Sequence, residues 1–227
     1  MNNKPLIIEL FSGSGSMSKE FEARGWDIIT VDNDPELDAS YPFDIMDIEK
    51  KEIDVWVQGR NTVFIWAGVD CSHFSIMTAG KYWHDSGVPK KDNKGVELLK
   101  KTLQIIEWAQ PDFWIIENPR GMMRTLSFMK NICRYEISYC QYGDIRMKPT
   151  DLFGLLPPTF YPKNCFNENP NCNHQRSERG NQKTGTQGLK NSYERSKYPE
   201  ELCNRVARDV TNWIEGNIPP FYLEGWI

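Results

Sequence analysis

A cysteine and a glutamate each follow an apolar run, and together they could carry out chemistry. Cys71 lies in GVDCSHFS directly after TVFIWA, and Glu117 lies in ENPR at the end of DFWIIENP. A thiolate at the first position would be a strong nucleophile. A carboxyl group at the second, if shielded from water, would have a raised pKa and could donate a proton. The residues alone leave open that Cys71 is a small packed residue and Glu117 a helix cap.

A glycine turn is the third candidate site. The stretch ELFSGSGSMS (9–18) runs from an apolar segment through Gly13 and Gly15 into a helical pattern. Glycines let a ligand approach the backbone, and the helix start offers free N–H groups. Asp32, at the end of the next apolar run, could accept hydrogen bonds from ribose hydroxyls. The combination suggests an adenosine cofactor, and the alternative is a tight turn with a surface aspartate.

The elements that must position these residues alternate along the chain. Apolar runs predict buried parallel strands, and amphipathic stripes predict helices. The predicted strands are 6–11, 27–32, 62–69 and 112–119, and the predicted helices are 16–25, 95–109 and 199–216. This order indicates a mostly parallel sheet with helices on both faces. The thiol, the carboxyl group and the glycine turn would then meet at one sheet edge.

Length and composition fit one globular domain, or one domain with a small lobe. The 227 residues are 39% hydrophobic and 26% charged, with no apolar run near the roughly 18 residues of a membrane span. The start, MNNKPLIIELF, lacks a signal-peptide layout, so we expect a cytoplasmic protein with reduced cysteines. Residues 163–197 carry a net charge of +4 and the remainder −8. That segment could contact phosphates or be a solvated loop.

Several motifs in order carry a family resemblance. LFSGSGSMS, VDND, DI, DCSHFS, ENPR and YGDIRMKPTDLF together resemble the DNA (cytosine-5) methyltransferases, above all small phage-type members, over roughly residues 5–210. The resemblance implies a Rossmann-like S-adenosylmethionine-dependent methyltransferase sheet with helices on both faces and a very small target-recognition lobe. We expect a catalytic core at 1–153, a basic lobe at 154–192, and a C-terminal helix and tail at 193–227 packing back on the core.

The resemblance also implies roles for individual residues. Cys71 would attack C6 of a cytosine flipped out of double-stranded DNA, and Glu117 would hold its N3 and exocyclic amine. The S-adenosylmethionine pocket would contain Phe11, Ser12, Gly13, Ser14, Gly15, Asp32, Asn33, Asp44, Ile45 and Asp70, with Asp47-Ile48 as a second registration of the Asp-Ile pair. Arg146 and Lys148 would contact the target base or its phosphates. Other DNA contacts are expected from Ser75, Lys81, Arg176, Arg179, Lys183 and Arg195.

The chain departs from the family pattern at two places. Asp70 replaces the usual proline before the nucleophile, and its charge could raise the pKa of Cys71. After Tyr142-Gly143, the family pattern Gln-x-Arg-x-Arg becomes Arg146, Lys148 and Thr150.

The expected activity is C5 methylation of cytosine by a monomer encoded by a phage or prophage, in restriction-modification or anti-restriction. An enzyme that acts on RNA, one that transfers a modified donor group, and a catalytically weak DNA-binding homologue are the alternatives. Because the lobe is small, we expect a short or relaxed target sequence.

His73 and a group of cysteines with a histidine each allow two interpretations. His73 is expected to be a hydrogen-bonding scaffold residue, and a second base is the alternative. Cys165, Cys172 and His174 are weak metal candidates, because the C-x2–4-C spacing of most zinc sites is absent. Free thiols are therefore favoured, and zinc would need Cys140 or Cys203 to be brought in by the fold.

Overall fold

The computed structural model describes residues 4–165, 172, 174 and 192–217, apart from the side chains of Ser192 and Arg195. Its strands are β1 (Leu6–Leu10), β2 (Asp27–Val31), β3 (Val63–Gly68), β4 (Phe113–Pro119), β5 (Arg134–Ser138) and β6 (Pro149–Leu155). Its helices are α1 (Ser16–Glu22), α2 (Lys50–Val57), α3 (Ala79–Tyr82), α4 (Lys94–Ala109), α5 (Ser192–Ser196) and α6 (Glu200–Ile214). Short 3-10 turns lie between several of them, including one at Cys71–His73.

The strands form one six-stranded sheet in the order β2-β1-β3-β4-β6-β5. The first four strands in that order are parallel, and β6 runs antiparallel to both β4 and β5. The parallel strands are almost wholly apolar, as expected for strands covered on both faces. The predicted α/β fold is confirmed. The strand β6 continues to Leu155, two residues beyond the expected end of the catalytic core.

Two apolar layers cover the two faces of the sheet. On β1, Leu6, Ile8 and Leu10 belong to the layer that also contains buried residues of α2 and α4. Ile7 points to the other layer, which contains buried residues of α1 and α6. The helix α6 packs directly against α1, and the indole Nε1 of Trp26 donates a 3.0 Å hydrogen bond to Oγ1 of Thr211. No helix in the described part of the chain has the length and apolar character needed to cross a bilayer.

The carboxyl ends of the parallel strands form the edge where the candidate residues lie. The chain connects β1 to β2 on one side and then returns to β3 on the other, so the strand order reverses between β1 and β3. Ligands of open α/β sheets bind in the crevice at such a reversal. The Tyr198 hydroxyl closes one side of it, since a Cβ at Gly68 would lie 1.9 Å from that oxygen. Any larger residue at the end of β3 would therefore have to displace Tyr198.

Candidate active site

The turn that carries Cys71 is fixed by the residue before it. Asp70 caps the turn: its carboxylate accepts hydrogen bonds from the Ser72 N–H at 2.9 Å and the Ser72 hydroxyl at 2.7 Å. The same carboxylate lies 3.2 Å from Nδ1 of His73. Cys71 itself remains exposed at the end of β3. The Asp70 side chain thus holds the nucleophile's turn, and its expected cofactor contact stays a prediction.

His73 is built into the scaffold behind the thiol. Its ring lies 4.4 Å from the Tyr82 ring, centroid to centroid, and its carbonyl oxygen accepts a 2.7 Å hydrogen bond from Trp83. A Cβ at Gly95 would lie 2.4 Å from the Cβ of His73, so α4 approaches this residue very closely. These contacts support the expected scaffold role over a second base.

Glu117 emerges beside Cys71 because β3 and β4 are neighbours. In the parallel register Glu117 lies opposite Gly68, three residues before the cysteine. Its side chain is buried and accepts a 2.8 Å hydrogen bond from the Tyr139 hydroxyl. The next residue, Asn118, donates a 2.8 Å hydrogen bond to the carbonyl oxygen of Val69. The two strand ends that carry the thiol and the carboxyl group are therefore tied together.

Two buried cations approach the same carboxyl group from the segment before β6. The Lys148 ammonium lies 3.4 Å from the Tyr139 hydroxyl and 4.4 Å from the centre of its ring. Arg146 is held by the carboxylate of Asp144, donates a 3.0 Å hydrogen bond to the Lys197 carbonyl, and lies over the Tyr139 ring. The guanidinium of Arg146 thus braces the wall of the site, while the Lys148 ammonium faces its centre.

Burial sets the protonation of the acid. Desolvation raises the pKa of Glu117, while Lys148, the hydrogen bond from Tyr139 and Arg146 partly oppose the rise. A raised pKa was expected for a shielded carboxyl group at this strand end. It extends the pH range in which Glu117 holds a proton that it can donate.

The thiol is exposed as a residue, yet surrounding protein atoms desolvate its sulfur. Desolvation raises the pKa of Cys71, Lys148 lowers it, and Glu117 and Asp70 raise it further. Asp70 therefore acts in the expected direction, although its effect is smaller than that of burial. Lys148 is the charged side chain that favours the thiolate form of Cys71.

The glycine turn and Asp32 meet at the carboxyl ends of β1 and β2. Gly13 and Gly15 both have positive φ, at 52° and 63°, and the space beside Gly13 where a Cβ would point is open. The Gly13 N–H donates to Oδ2 of Asp32 at 2.8 Å, and the Asp34 N–H donates to Oδ1 at 3.0 Å. Each carboxylate oxygen keeps a second lone pair, so Asp32 can still accept ribose hydroxyls. The turn fits an adenosine group.

The start of α1 differs from the expectation of free N–H groups. The backbone N–H groups of Met17 and Ser18 donate to the carboxylate of Glu9, at 3.4 and 2.8 Å. That expectation is therefore wrong for these two groups. Glu9 is wholly buried in β1, and desolvation raises its pKa to about 7 despite those hydrogen bonds. Its only sequence signal was an acid inside the apolar run LIIEL.

The other expected cofactor residues line the same edge. Phe11 is half-buried with φ 57°, Ser12 is buried, and Ser14 contacts the Ser16 hydroxyl at 2.5 Å. Asp44 accepts a 2.9 Å hydrogen bond from the Met46 N–H and so caps a turn. In that turn Ile45 is buried, and Asn33 is exposed after β2.

Only part of the expected DNA surface lies within the described residues. The Ser75 hydroxyl accepts a 3.2 Å hydrogen bond from the Met77 N–H, and Lys81 is exposed beside Tyr82. Thr150, at one of the family's arginine positions, is buried and donates to the Lys148 carbonyl. Three of the expected DNA contacts lie outside the described residues: Arg176, Arg179 and Lys183. The side chain of Arg195 also lies outside the described part.

The sequence that forms most of this site matches a known family. The family model for C-5 cytosine-specific DNA methylases matches residues 6–138, more than half of the chain. The chain belongs to this family. The resemblance seen in the motifs and the predicted enzyme class, DNA (cytosine-5) methyltransferase, are thereby confirmed.

Two relatives of this methyltransferase come from a virus and a bacterium. One, named "Probable DNA (cytosine-5)-methyltransferase" in Frog virus 3 (isolate Goorha), is 30% identical over 67% of this chain and 73% of its own. The type II methyltransferase M.NmeDI of Neisseria meningitidis serogroup C is 32% identical over 54% of this chain, but the match covers 33% of that enzyme. Among solved structures, S. pombe Dnmt2 methyltransferase aligns with a TM-score of 0.47 at 13% identity, over 70% of this chain and 53% of that one.

Proposed function

We propose that this methyltransferase transfers a methyl group from S-adenosylmethionine to C5 of cytosine in DNA through a covalent bond between Cys71 and C6. One observation carries the proposal. A thiol and a buried carboxyl group leave neighbouring parallel strands at the same edge, with Gly68 opposite Glu117, and the Lys148 ammonium acts electrostatically on both.

The thiolate and the acid act as a pair. Cys71 attacks C6, forming a carbon–sulfur bond, while Glu117 donates its proton to N3 and accepts a hydrogen bond from the exocyclic amine. The electron pair of the C5–C6 bond then makes C5 nucleophilic enough to take a methyl group. After transfer, loss of the C5 proton to a base drives cleavage of the carbon–sulfur bond. The thiolate is regenerated, and the N3 proton returns to Glu117.

The residues around the pair set its geometry and charge. Tyr139 orients Glu117 through its 2.8 Å hydrogen bond, and Lys148 favours the thiolate. Arg146 acts as a positioning residue, because its guanidinium is held by Asp144 and braces the Tyr139 ring.

The glycine turn and the end of β2 would hold S-adenosylmethionine. Asp32 would accept the ribose hydroxyls, and Phe11, Asn33 and the Asp44-Ile45 turn would flank the adenine. The open space beside Gly13 supports this assignment. When bound, S-adenosylmethionine supplies an electrophilic methyl group on a sulfonium.

The substrate base must leave its helix to reach this edge. C6 of a stacked cytosine is inaccessible to a thiol, so base flipping is required. Double-stranded DNA would lie over the exposed loop that carries Ser75 and Lys81 and over the basic segment 163–197.

A trapping experiment tests the covalent step. A duplex with 5-fluorocytosine at target positions cannot lose the C5 substituent as a proton, so the Cys71–C6 bond persists after methyl transfer. We expect a complex that survives denaturation and requires S-adenosylmethionine. Cys71→Ser should abolish it, and Cys133→Ser, which changes an exposed cysteine elsewhere, should retain it. Full methyl transfer by Cys71→Ser would refute the mechanism.

The substrate and the donor are tested separately. Labelled methyl transfer should be strong to duplex DNA and weak to RNA and dCMP, and mass spectrometry of the product should show 5-methylcytosine. Bisulfite sequencing of DNA from an expressing host should reveal a short or relaxed target. A preference for RNA, or a larger added group, would keep the fold and replace the proposed activity.

A further inference from the structure

Four side chains of metal-ligand type converge beside the active-site wall. They are Cys140, Cys165, Cys172 and His174, and their donor atoms all lie within 4.8 Å of one another. Cys140 is 25 positions before Cys165, so the four residues do not form a metal-binding motif that can be recognised in the sequence. The fold supplies the fourth ligand that the sequence lacked.

Hydrogen bonds from backbone N–H groups bring Cys140 and Cys165 together. The Ser138 N–H donates to the Lys163 carbonyl at 3.0 Å, and the Cys165 N–H donates to the Ser138 hydroxyl at 3.0 Å. The Lys163 N–H also donates to the Tyr142 hydroxyl at 3.0 Å. The segment 163–165 therefore runs alongside 138–142, and this places Cys165 next to Cys140.

The histidine completes the cluster with its Nδ1 atom. That nitrogen lies 3.0 Å from Sγ of Cys172 and 3.8 Å from Sγ of Cys165. In a tetrahedral zinc site, with bonds of about 2.3 Å to sulfur and about 2.0 Å to nitrogen, these separations would be about 3.5 Å. One observed distance is shorter than this value and the other is longer. Each nitrogen–sulfur distance would change by less than about 1 Å when an ion bound.

We propose that Cys140, Cys165, Cys172 and His174 bind one structural Zn²⁺ ion. Three thiolates and an imidazole form a known structural ligand set, and soft thiolate ligands select zinc over magnesium or calcium. Four protein ligands fill a tetrahedral site, so no position is left for a substrate. Cys165 and His174 are buried and the other two half-buried, which suits a closed site.

The ion would join the lobe to the catalytic core. Cys140 directly follows Tyr139, which holds Glu117, and the other three ligands lie in the expected lobe. Zinc would therefore hold the start of the basic segment 163–197 in a fixed position relative to the pocket beside Cys71 and Glu117. Its loss should weaken DNA binding by the full chain more than it weakens adenosine-group binding at the distant glycine turn.

Metal analysis of the full-length protein tests the site directly. Protein made in zinc-supplemented medium and purified with a reductant should contain one zinc ion per chain. Cys140→Ser and Cys165→Ser should each lose it, and the matched control Cys133→Ser should keep it. His174→Ala should lose zinc while His174→Cys retains it, since the second variant restores a ligand.

Two further measurements keep the proposal falsifiable if a variant folds poorly. Wild-type protein stripped by a chelator should rebind one Zn²⁺ with recovery of its melting temperature, and Co²⁺ should give thiolate-to-metal charge-transfer absorption. Wild-type protein that binds no zinc under reducing conditions would overturn the proposal. Zinc retained equally by Cys140→Ser and Cys165→Ser would also overturn it.

Discussion

Two buried glutamates on parallel strands, Glu9 in β1 and Glu117 in β4, share a side chain and an environment but differ in their partners. Both are almost wholly buried, and burial raises the pKa of both. Glu9 accepts hydrogen bonds from the backbone N–H groups of Met17 and Ser18, which cannot titrate. Glu117 faces a tyrosine hydroxyl and, through it, a lysine. Their partners rather than their burial therefore distinguish Glu9, which supports the start of α1, from Glu117, the proposed proton donor.

The largest expected difference between the two is in catalysis. Glu117→Gln keeps the shape of the side chain but removes the proton for N3, so kcat should fall by about 10²–10⁴-fold. Glu9→Gln, the matched change, should leave kcat within about twofold, because it removes no proton in transit. Single-turnover methyl transfer measures both. Equal losses in the two variants would mean that both carboxyl groups act through the scaffold.

Changing Tyr139, the hydrogen-bond partner of Glu117, should have a smaller effect on catalysis than Glu117→Gln. Tyr139→Phe removes one hydrogen bond worth about 1 kcal/mol, so the loss should be nearer to fivefold than to a thousandfold. A loss as large as that of Glu117→Gln would mean that Tyr139 takes part in proton transfer.

Each glutamate has a lysine that lowers its pKa, Lys19 for Glu9 and Lys148 for Glu117. We expect only Lys148 to set the pH dependence of catalysis, because it also lowers the pKa of Cys71. Lys148 lowers the pKa of Cys71 and of Glu117, so Lys148→Met should raise both. Catalysis needs the thiolate and the protonated acid, so both limbs of the kcat/KM profile should move to higher pH. Activity on the acid side of the profile should fall and recover at higher pH.

A charge-preserving variant is the control for that shift. Lys148→Arg should hold the profile near its original position even if the rate drops. A Lys148→Met profile of unchanged shape and lower amplitude would show that Lys148 acts by packing alone.

The smallest effect on activity, and the largest on stability, is expected at Glu9. Its folded pKa of about 7 lies above its ordinary value of 4.5. The unfolded chain therefore ionises first, and stability is lost as pH rises from 4.5 through about 7. Glu9→Gln removes this penalty. The change that it causes in the free energy of unfolding should therefore be more favourable at pH 8 than at pH 4, by up to about 3 kcal/mol.

Denaturant unfolding at the two pH values measures this difference. The exposed Glu22→Gln in α1 should show no such pH-dependent gain. A Glu9→Gln variant that is equally destabilised at both pH values would mean that folding leaves the pKa of Glu9 unshifted.

The parallel half of the molecule could be predicted from the sequence, and the antiparallel half could not. Buried parallel strands are continuous apolar runs that end at glycine or proline, and the four predicted strands match β1 to β4 within two residues at each end. The strand β5 carries Arg134 and Glu136 and lies at the sheet edge, and β6 begins with Pro149 and contains Gly154. Neither has a continuous apolar signal. The helix α2 was also missed.

The candidate site divides in the same way. Cys71 and Glu117 could be proposed from the sequence because their strands are apolar runs. Cys71 lies just after β3, and Glu117 lies near the end of β4. Tyr139 was missed because its contact with Glu117 depends on the antiparallel pairing of β4, β6 and β5. The contact of Cys140 with Cys165 depends on the pairing of 138–142 with 163–165. Such long-range contacts leave no periodic trace along the chain.

The packing of α6 against α1 has a consequence for synthesis on the ribosome. Trp26, which follows α1, and Thr211 in α6 are hydrogen-bonded although they are 185 residues apart in the chain. Strands β1 to β4 can emerge and pair early. Of the two helices in the layer that contains Ile7, Phe64 and Ile115, only α1 is then available until α6 appears. At about 5–20 residues per second, the interval from Ile115 to Val210 in α6 lasts roughly 5–20 seconds. Chaperone demand should therefore be concentrated on one side of the growing sheet.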